Sequence, residues 1–151
     1  MLFLFASLFF QLVPGTFASV AVDGRAAIAS SELVANPIVL AFCRTLIRKA
    51  AVERYAEQGA FVVRTQGILY FVVWPPGAEK DMLRWYGRFP DGTIAIVHTH
   101  PPWIPQASNL DLNAARGAHI PVYVLTPFRI SKTAGGPSEV VIEGDLIDPG
   151  V

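Results

Sequence analysis

The apolar run at residues 93–97, which ends in two histidines, constrains the fold more than any other part of this chain. Its residues, Thr-Ile-Ala-Ile-Val, predict a β-strand. His98 and His100 follow directly and are two residues apart, so both side chains leave the end of the strand on the same side. Both imidazoles can then bind one metal ion through a ring nitrogen. The pattern therefore predicts a strand that ends in a metal site.

The segment after the histidines offers a third ligand. Asp111 lies eleven residues after His100, which is far enough for a loop to fold back and bring a carboxylate oxygen to the metal. Three protein ligands leave a fourth position for water, and this arrangement is typical of catalytic rather than structural zinc. The remaining histidine, His119, lies too far along the chain to be given a role.

The composition limits the classes of protein to consider. A chain of 151 residues has room for one domain with an apolar core. Hydrophobic residues make up 52% and charged residues 16%, with a formal net charge of zero, so no nucleic-acid partner is expected. Cys43 is the single cysteine, which excludes an internal disulfide and a cysteine-rich zinc site. We expect Cys43 to be an inert core residue and the metal to be held by nitrogen and oxygen.

The N-terminal residues have the composition of an export signal. Residues 1–13 are almost wholly apolar, too few to span a bilayer comfortably, and small-residue cleavage sites follow before residue 22. Residues 1–21 therefore predict a signal peptide and a secreted or periplasmic protein, with residues 22–35 as a linker. The first positive side chain is Arg25, so either the free amino terminus supplies the positive charge of a signal or the true start lies upstream, and two further alternatives stay open. One is a retained membrane anchor, and the other is an apolar segment that packs on a cytoplasmic protein.

The rest of the chain predicts a mixed sheet with a helix before it and a second helix after the metal loop. Asn36 and Pro37 are typical of the start of a helix, as cap and first helical residue. Residues 79–89 are consistent with a short helix or an irregular crossing. The predicted elements are a helix to about Ala56, strands Ala60–Thr65, Ile68–Trp74 and Thr93–Val97, a helix from Ser108 to about Arg116 closed by Gly117, a strand Pro121–Leu125, and an antiparallel pair Phe128–Ile130 and Glu139–Ile142.

The spacing His-x-His-x7-Ser-x2-Asp, formed by His98, His100, Ser108 and Asp111, resembles the JAMM signature of the JAB/MPN (MPN+) metalloproteases. Pro101 after the second histidine is also common in that family. The resemblance implies an α/β (α+β) fold for residues 36–151. This fold is an MPN/JAB-like mixed sheet flanked by helices, similar to the layered core of the cytidine deaminases. It also implies one zinc ion per chain.

The same resemblance implies two catalytic residues. In the family a glutamate after the first helix is the general base, and Glu57 holds that place, with Glu53 as the competitor inside the helix pattern. The family often has two residues between this glutamate and a glycine, whereas here only Gln58 separates Glu57 from Gly59. Ser108 would stabilise the oxyanion of the tetrahedral intermediate. A structural alternative is that Ser108 and Asp111 form a capping box at the start of the second helix.

The resemblance implies hydrolysis of peptide or isopeptide bonds in a peptide or protein substrate. Ubiquitin, the substrate of many eukaryotic members, is not favoured, because this chain has little room for the insertions that hold it. The amidohydrolase barrels that also use His-x-His need a much longer chain. Two alternatives remain: a catalytically silent MPN-like interaction domain, and a metal module that hydrolyses something other than a peptide. Trp103 and Ile104 either line a substrate groove or pack the loop down.

Overall fold

The computed structural model describes residues 32–53, 56–75, 85, 87–100 and 102–147. The predicted signal segment, most of the predicted linker and most of residues 79–89 lie outside these ranges. Within them, no helix has the length and apolar character needed to cross a membrane. The elements are a short 3-10 helix Leu33–Ala35, then α1 (Pro37–Val52), β1 (Gly59–Thr65), β2 (Ile68–Val73), β3 (Thr93–Thr99), α2 (Asn109–Ala118), β4 (Val122–Leu125), β5 (Arg129–Thr133) and β6 (Glu139–Glu143).

The strands form one six-stranded sheet in the order β2-β1-β3-β4-β5-β6. Neighbouring strands are antiparallel except β3 and β4, which are parallel and are connected through α2. A parallel pair needs such a crossover because its second strand must start at the same edge of the sheet as the first. The predicted α+β class, a mixed sheet with two helices, is confirmed.

Helix α1 begins where the sequence predicts. The Asn36 side chain accepts hydrogen bonds from the backbone N–H groups of Ile38 and Val39, at 3.0 and 3.5 Å, and Pro37 is the first helical residue. The helix ends at Val52, four residues before the predicted end. Glu53 already leaves the helical conformation, with φ −83° and ψ 32°, although its N–H still donates to the carbonyl of Lys49.

Two apolar clusters cover the two faces of the sheet. Strand β1 alternates between them: Ala60 and Val62 pack with the α1 side, whereas Phe61 and Val63 pack with the α2 side. Ile96 of β3 belongs to the α2-side cluster. Because side chains alternate along a strand, His98, two residues after Ile96, faces the α2 side as well.

Helix α2 begins with the capping box that the sequence offered as a structural alternative. The Ser108 hydroxyl accepts from the backbone N–H of Asp111, and the Asp111 carboxylate accepts from the backbone N–H of Ser108. The predicted end of this helix is wrong by two residues, because Gly117 lies inside it. His119 ends the helix instead, in the left-handed conformation with φ 55°.

Candidate metal centre

The site lies at the end of β3, in the interior of the sheet. His98 pairs with Gly59 of β1 on one side and with Val124 of β4 on the other. His98 is consequently buried, with 4% of its surface exposed, whereas His100 just beyond the strand is half-buried. The two rings lie 5.0 Å apart between centroids and are nearly perpendicular, at 84°. The predicted juxtaposition of the two imidazoles is present.

Glu57 approaches His98 from the segment that leads into β1. Its Oε1 atom lies 2.7 Å from His98 Nδ1. This segment is attached to β3 through Thr99, whose hydroxyl accepts from the N–H of Gln58 at 2.9 Å and whose N–H donates to the carbonyl of Gln58 at 2.8 Å. Thr99, the residue between the two histidines, therefore fixes the backbone next to Glu57.

Glu53, the competing glutamate, lies in a different environment. Its Oε2 atom accepts a hydrogen bond from the Gln58 side chain at 2.9 Å, and Oε1 lies 3.8 Å from the ammonium group of Lys49. The Glu53 side chain is 43% exposed, compared with 12% for that of Glu57. Of the two glutamates, the structure brings Glu57 into contact with a site histidine.

Asp111 faces both histidines from the first turn of α2. Its Oδ1 lies 3.0 Å from His98 Nε2, and its Oδ2 lies 3.5 Å from His100 Nε2. Oδ2 also accepts hydrogen bonds from the N–H and the hydroxyl of Ser108, at 2.7 and 2.8 Å. The capping box thus holds the carboxylate in the orientation that directs it at the imidazoles.

The Nδ1 atoms of both histidines have oxygen acceptors. His98 Nδ1 contacts the Glu57 carboxylate, and His100 Nδ1 lies 3.2 Å from the backbone carbonyl of Ile104. Carbonyl and carboxylate oxygens accept hydrogen bonds, so each Nδ1 carries the proton. Nε2 is then the nitrogen available as a metal ligand on both rings, and both Nε2 atoms face Asp111.

The two carboxylates dominate the electrostatics around His98. Burial alone would lower its pKa, but the interactions with Asp111 and then Glu57 outweigh burial and raise the pKa to about 9. For Asp111, burial acts to raise the pKa, but His98 and Ser108 together lower it to about 2. In the metal-free protein the two carboxylates therefore favour the charged form of His98, and a cation that binds Nε2 would replace the proton on that nitrogen.

The donor set fits a metal ion. Glu57, His98 and His100 each offer a ligand atom, and these atoms lie within 4.8 Å of one another. The Nε2 atom of His98 is buried and makes no aligned hydrogen bond to any described residue, although Asp111 Oδ1 lies nearby. A buried nitrogen in this condition is suited to a metal ligand. Imidazole nitrogens and carboxylate oxygens suit zinc and several other divalent ions.

The other candidates from the sequence lie outside the centre. His119 is exposed at the end of α2, and Cys43 is buried in the α1-side core, where burial raises the pKa of its thiol to about 12. The Ile104 carbonyl is a contact that the sequence analysis missed. No residue type marks a backbone acceptor, so the sequence carried no signal for it.

Comparisons of this chain with protein-family models, with curated proteins and with solved structures each found no significant match.

Proposed function

We propose that this protein is a zinc-dependent hydrolase of peptide or isopeptide bonds, similar in its site to the JAMM metalloproteases. The observation that carries the proposal is the approach of two imidazoles and two carboxylates at the end of β3. His98, His100 and Asp111 would hold the metal, because the Asp111 carboxylate faces both Nε2 atoms. Glu57, which with the two histidines offers ligand atoms within 4.8 Å of one another, is the competing third ligand. When bound, zinc supplies Lewis-acid catalysis and lowers the pKa of a water molecule to about 7.

Glu57 is the proposed general base. In amide hydrolysis the water oxygen bonds to the carbonyl carbon, the C–N bond breaks, and one water proton moves to the leaving nitrogen. A carboxylate that accepts this proton and returns it completes the transfer without another group. Glu57 is half-buried and next to His98, which supports this role. Its contact with His98 Nδ1 also suits a carboxylate that only orients the ring, so the two roles need separate tests.

Ser108 is the proposed donor to the oxyanion of the tetrahedral intermediate. Its hydroxyl has one proton, which is directed at Asp111 Oδ2 at 2.8 Å. Donation to substrate therefore requires the hydroxyl to rotate away from Asp111. The backbone N–H of Ser108 still holds that carboxylate when this happens, so the helix cap survives the rotation.

The first experiment is elemental analysis of the purified full chain beside two single variants. We expect close to one zinc per chain in the parent and a large loss in His100→Ala. The matched control is His119→Ala, which removes an exposed histidine outside the centre and should keep the metal. Absence of metal from the parent, even after zinc is added back, would contradict the proposal.

The second experiment compares Glu57→Gln with Glu53→Gln. Both are incubated with a library of short peptides, some of them branched at lysine through isopeptide bonds, and the products are identified by mass spectrometry. Loss of a general base lowers turnover by roughly 10²–10⁴-fold, so we expect this loss for Glu57→Gln alone. Zinc content is measured in both variants, because a Glu57 that acts as a ligand would lose metal together with activity.

A catalytically silent metal-binding scaffold is the second candidate. The observation in favour of a scaffold is that both proposed catalytic groups already contact proposed ligands: Glu57 contacts His98, and the Ser108 hydroxyl contacts Asp111. In such a protein these contacts serve only to hold ligands. The parent would then bind zinc but cleave no member of the library.

A further inference from the structure

The loop after His100 turns back onto that residue. The carbonyl of His100 accepts hydrogen bonds from the N–H groups of Trp103 and Ile104, at 2.5 and 3.1 Å, and the carbonyl of Ile104 returns to His100 Nδ1 at 3.2 Å. The backbone of His100 is therefore held by Trp103 and Ile104, and its side chain is held by Ile104. Since a carbonyl oxygen can only accept, this contact requires the proton on Nδ1 and leaves Nε2 free in a neutral His100.

Trp103 takes a backbone conformation that tryptophan rarely adopts. Its φ is +70°, in the left-handed region, where a bulky side chain is strained and glycine is not. Such a conformation persists only when the surroundings enforce it. Here the half-buried Trp103 side chain packs against the α1-side core cluster, on the opposite face of the sheet from α2. The indole anchors the loop in a conformation that its own backbone disfavours.

We propose that Trp103 is a positioning residue for the metal centre. By anchoring the loop, it keeps the Ile104 carbonyl on His100 Nδ1, so that His100 offers Nε2 to the metal. Trp103 is not expected to contact metal or substrate itself. Of the two measurements that test this inference, only zinc affinity rests on the proposed function. The tautomer of His100 is a property of the metal-free protein.

The test replaces Trp103 by glycine, which accepts the left-handed conformation but removes the anchor. The matched control is Trp85→Gly, which removes a half-buried indole from the α2-side cluster. The tautomer of His100 is read in chelator-treated protein at pH 8 from long-range ¹H–¹⁵N couplings of the imidazole. Zinc affinity is measured by competition with a chelating dye, and folding is checked by circular dichroism.

We expect the parent and Trp85→Gly to show His100 protonated at Nδ1 and to bind zinc equally well. Trp103→Gly should show both tautomers and bind zinc on the order of 10- to 100-fold more weakly, as when other groups that orient a ligand are lost. If Trp103→Gly does not fold, Trp103→Leu, which keeps part of the apolar contact, is compared with Trp85→Leu in the same assays.

An unchanged tautomer and affinity after loss of Trp103, or equal losses in the Trp85 variant, would overturn the proposal. A parent that binds no zinc would instead contradict the proposed function. The tautomer measurement would still decide the role of Trp103 in that case.

Discussion

The two α-helices of the described structure both begin with a side-chain cap, a single asparagine in α1 and a capping box in α2, but the two caps serve different purposes. At the start of α1 the amide side chain of Asn36 accepts hydrogen bonds from two backbone N–H groups, and this side chain has no contact with the candidate metal centre in the described structure. At the start of α2 the carboxylate of Asp111 accepts from Ser108 through Oδ2 and faces His98 through Oδ1. One cap only starts a helix, whereas the other also directs a charged group at two imidazoles.

The difference shows how a local structural motif becomes part of a site. A capping box fixes both the position and the orientation of its carboxylate, so little further ordering is needed when that carboxylate binds a cation. The charge that stabilises the N-terminus of α2 is the same charge that faces the histidines. Substitutions at the two caps should therefore differ more in metal binding than in stability.

The largest effect is expected for Asp111→Ala. This change removes a proposed ligand together with the cap, so we expect zinc affinity to fall by more than about 100-fold. The free energy of unfolding should also fall, because both the capping box and the partner of the buried His98 are lost. Dye competition measures the affinity and urea denaturation measures the stability. Retention of zinc at parental affinity would show that the remaining groups, Glu57 among them, suffice to bind it.

The next largest effect is expected in kcat when the hydroxyl of Ser108 is removed. Removal of an oxyanion donor lowers kcat by roughly 10²–10³-fold, and Ser108→Ala should show such a loss on any peptide that the parent cleaves, with zinc content unchanged. Ser108→Gly is the matched variant, because glycine is a far better N-cap than alanine. Similar losses of kcat in both variants, despite different stabilities, would assign the effect to the hydroxyl. Losses of kcat that only parallel the losses of stability would mean that Ser108 caps the helix and has no catalytic role.

The sequence predicted the parts of this fold that depend on local physical chemistry. Asn36-Pro37 and Ser108 mark the two helix starts. The spacing of His98 and His100 was equally local, because residues two apart on a strand share a face. Helix ends were predicted less well, since α1 ends with its C-cap at Glu53 rather than at about Ala56 and α2 ends with its C-cap at His119 rather than at Gly117.

The contacts that complete the centre depend on tertiary structure. Glu57 reaches His98 because Gln58 pairs with Thr99 across 41 residues of chain, and the Ile104 carbonyl reaches His100 because Trp103 turns the loop. Neither the strand register nor a left-handed tryptophan can be read from residue types alone. The residue types therefore indicated a metal site, but they could not show how its rings are oriented.

A smaller effect is expected when pH is varied on chelator-treated protein. The pKa of His98 is raised from 6.5 to about 9, so its contribution to stability is fully present below pH 6.5 and is lost as the pH rises through 9. The pKa of Asp111 is lowered from 3.8 to about 2, so its contribution is present above pH 3.8 and is lost as the pH falls through 2. The free energy of unfolding should thus decline between pH 6.5 and 9. Asp111→Asn should show a smaller decline, and a parent whose stability rises over this range would contradict the assignment.

The smallest effect is expected for Asn36→Ala, which isolates the cap that has no second role. Loss of an asparagine N-cap costs about 1 kcal/mol, and urea denaturation of the variant should show a decrease of this size. Zinc affinity and the tautomer of His100 should stay at parental values, because the Asn36 side chain bonds only to the first turn of α1 among the described residues. Asn36→Asp serves as control, since aspartate caps as well as asparagine and adds negative charge at the helix start. A loss of zinc affinity in Asn36→Ala beyond its loss of stability would mean that α1 is coupled to the metal centre through the sheet. The contrast between the two caps would then reflect a difference in degree rather than in kind.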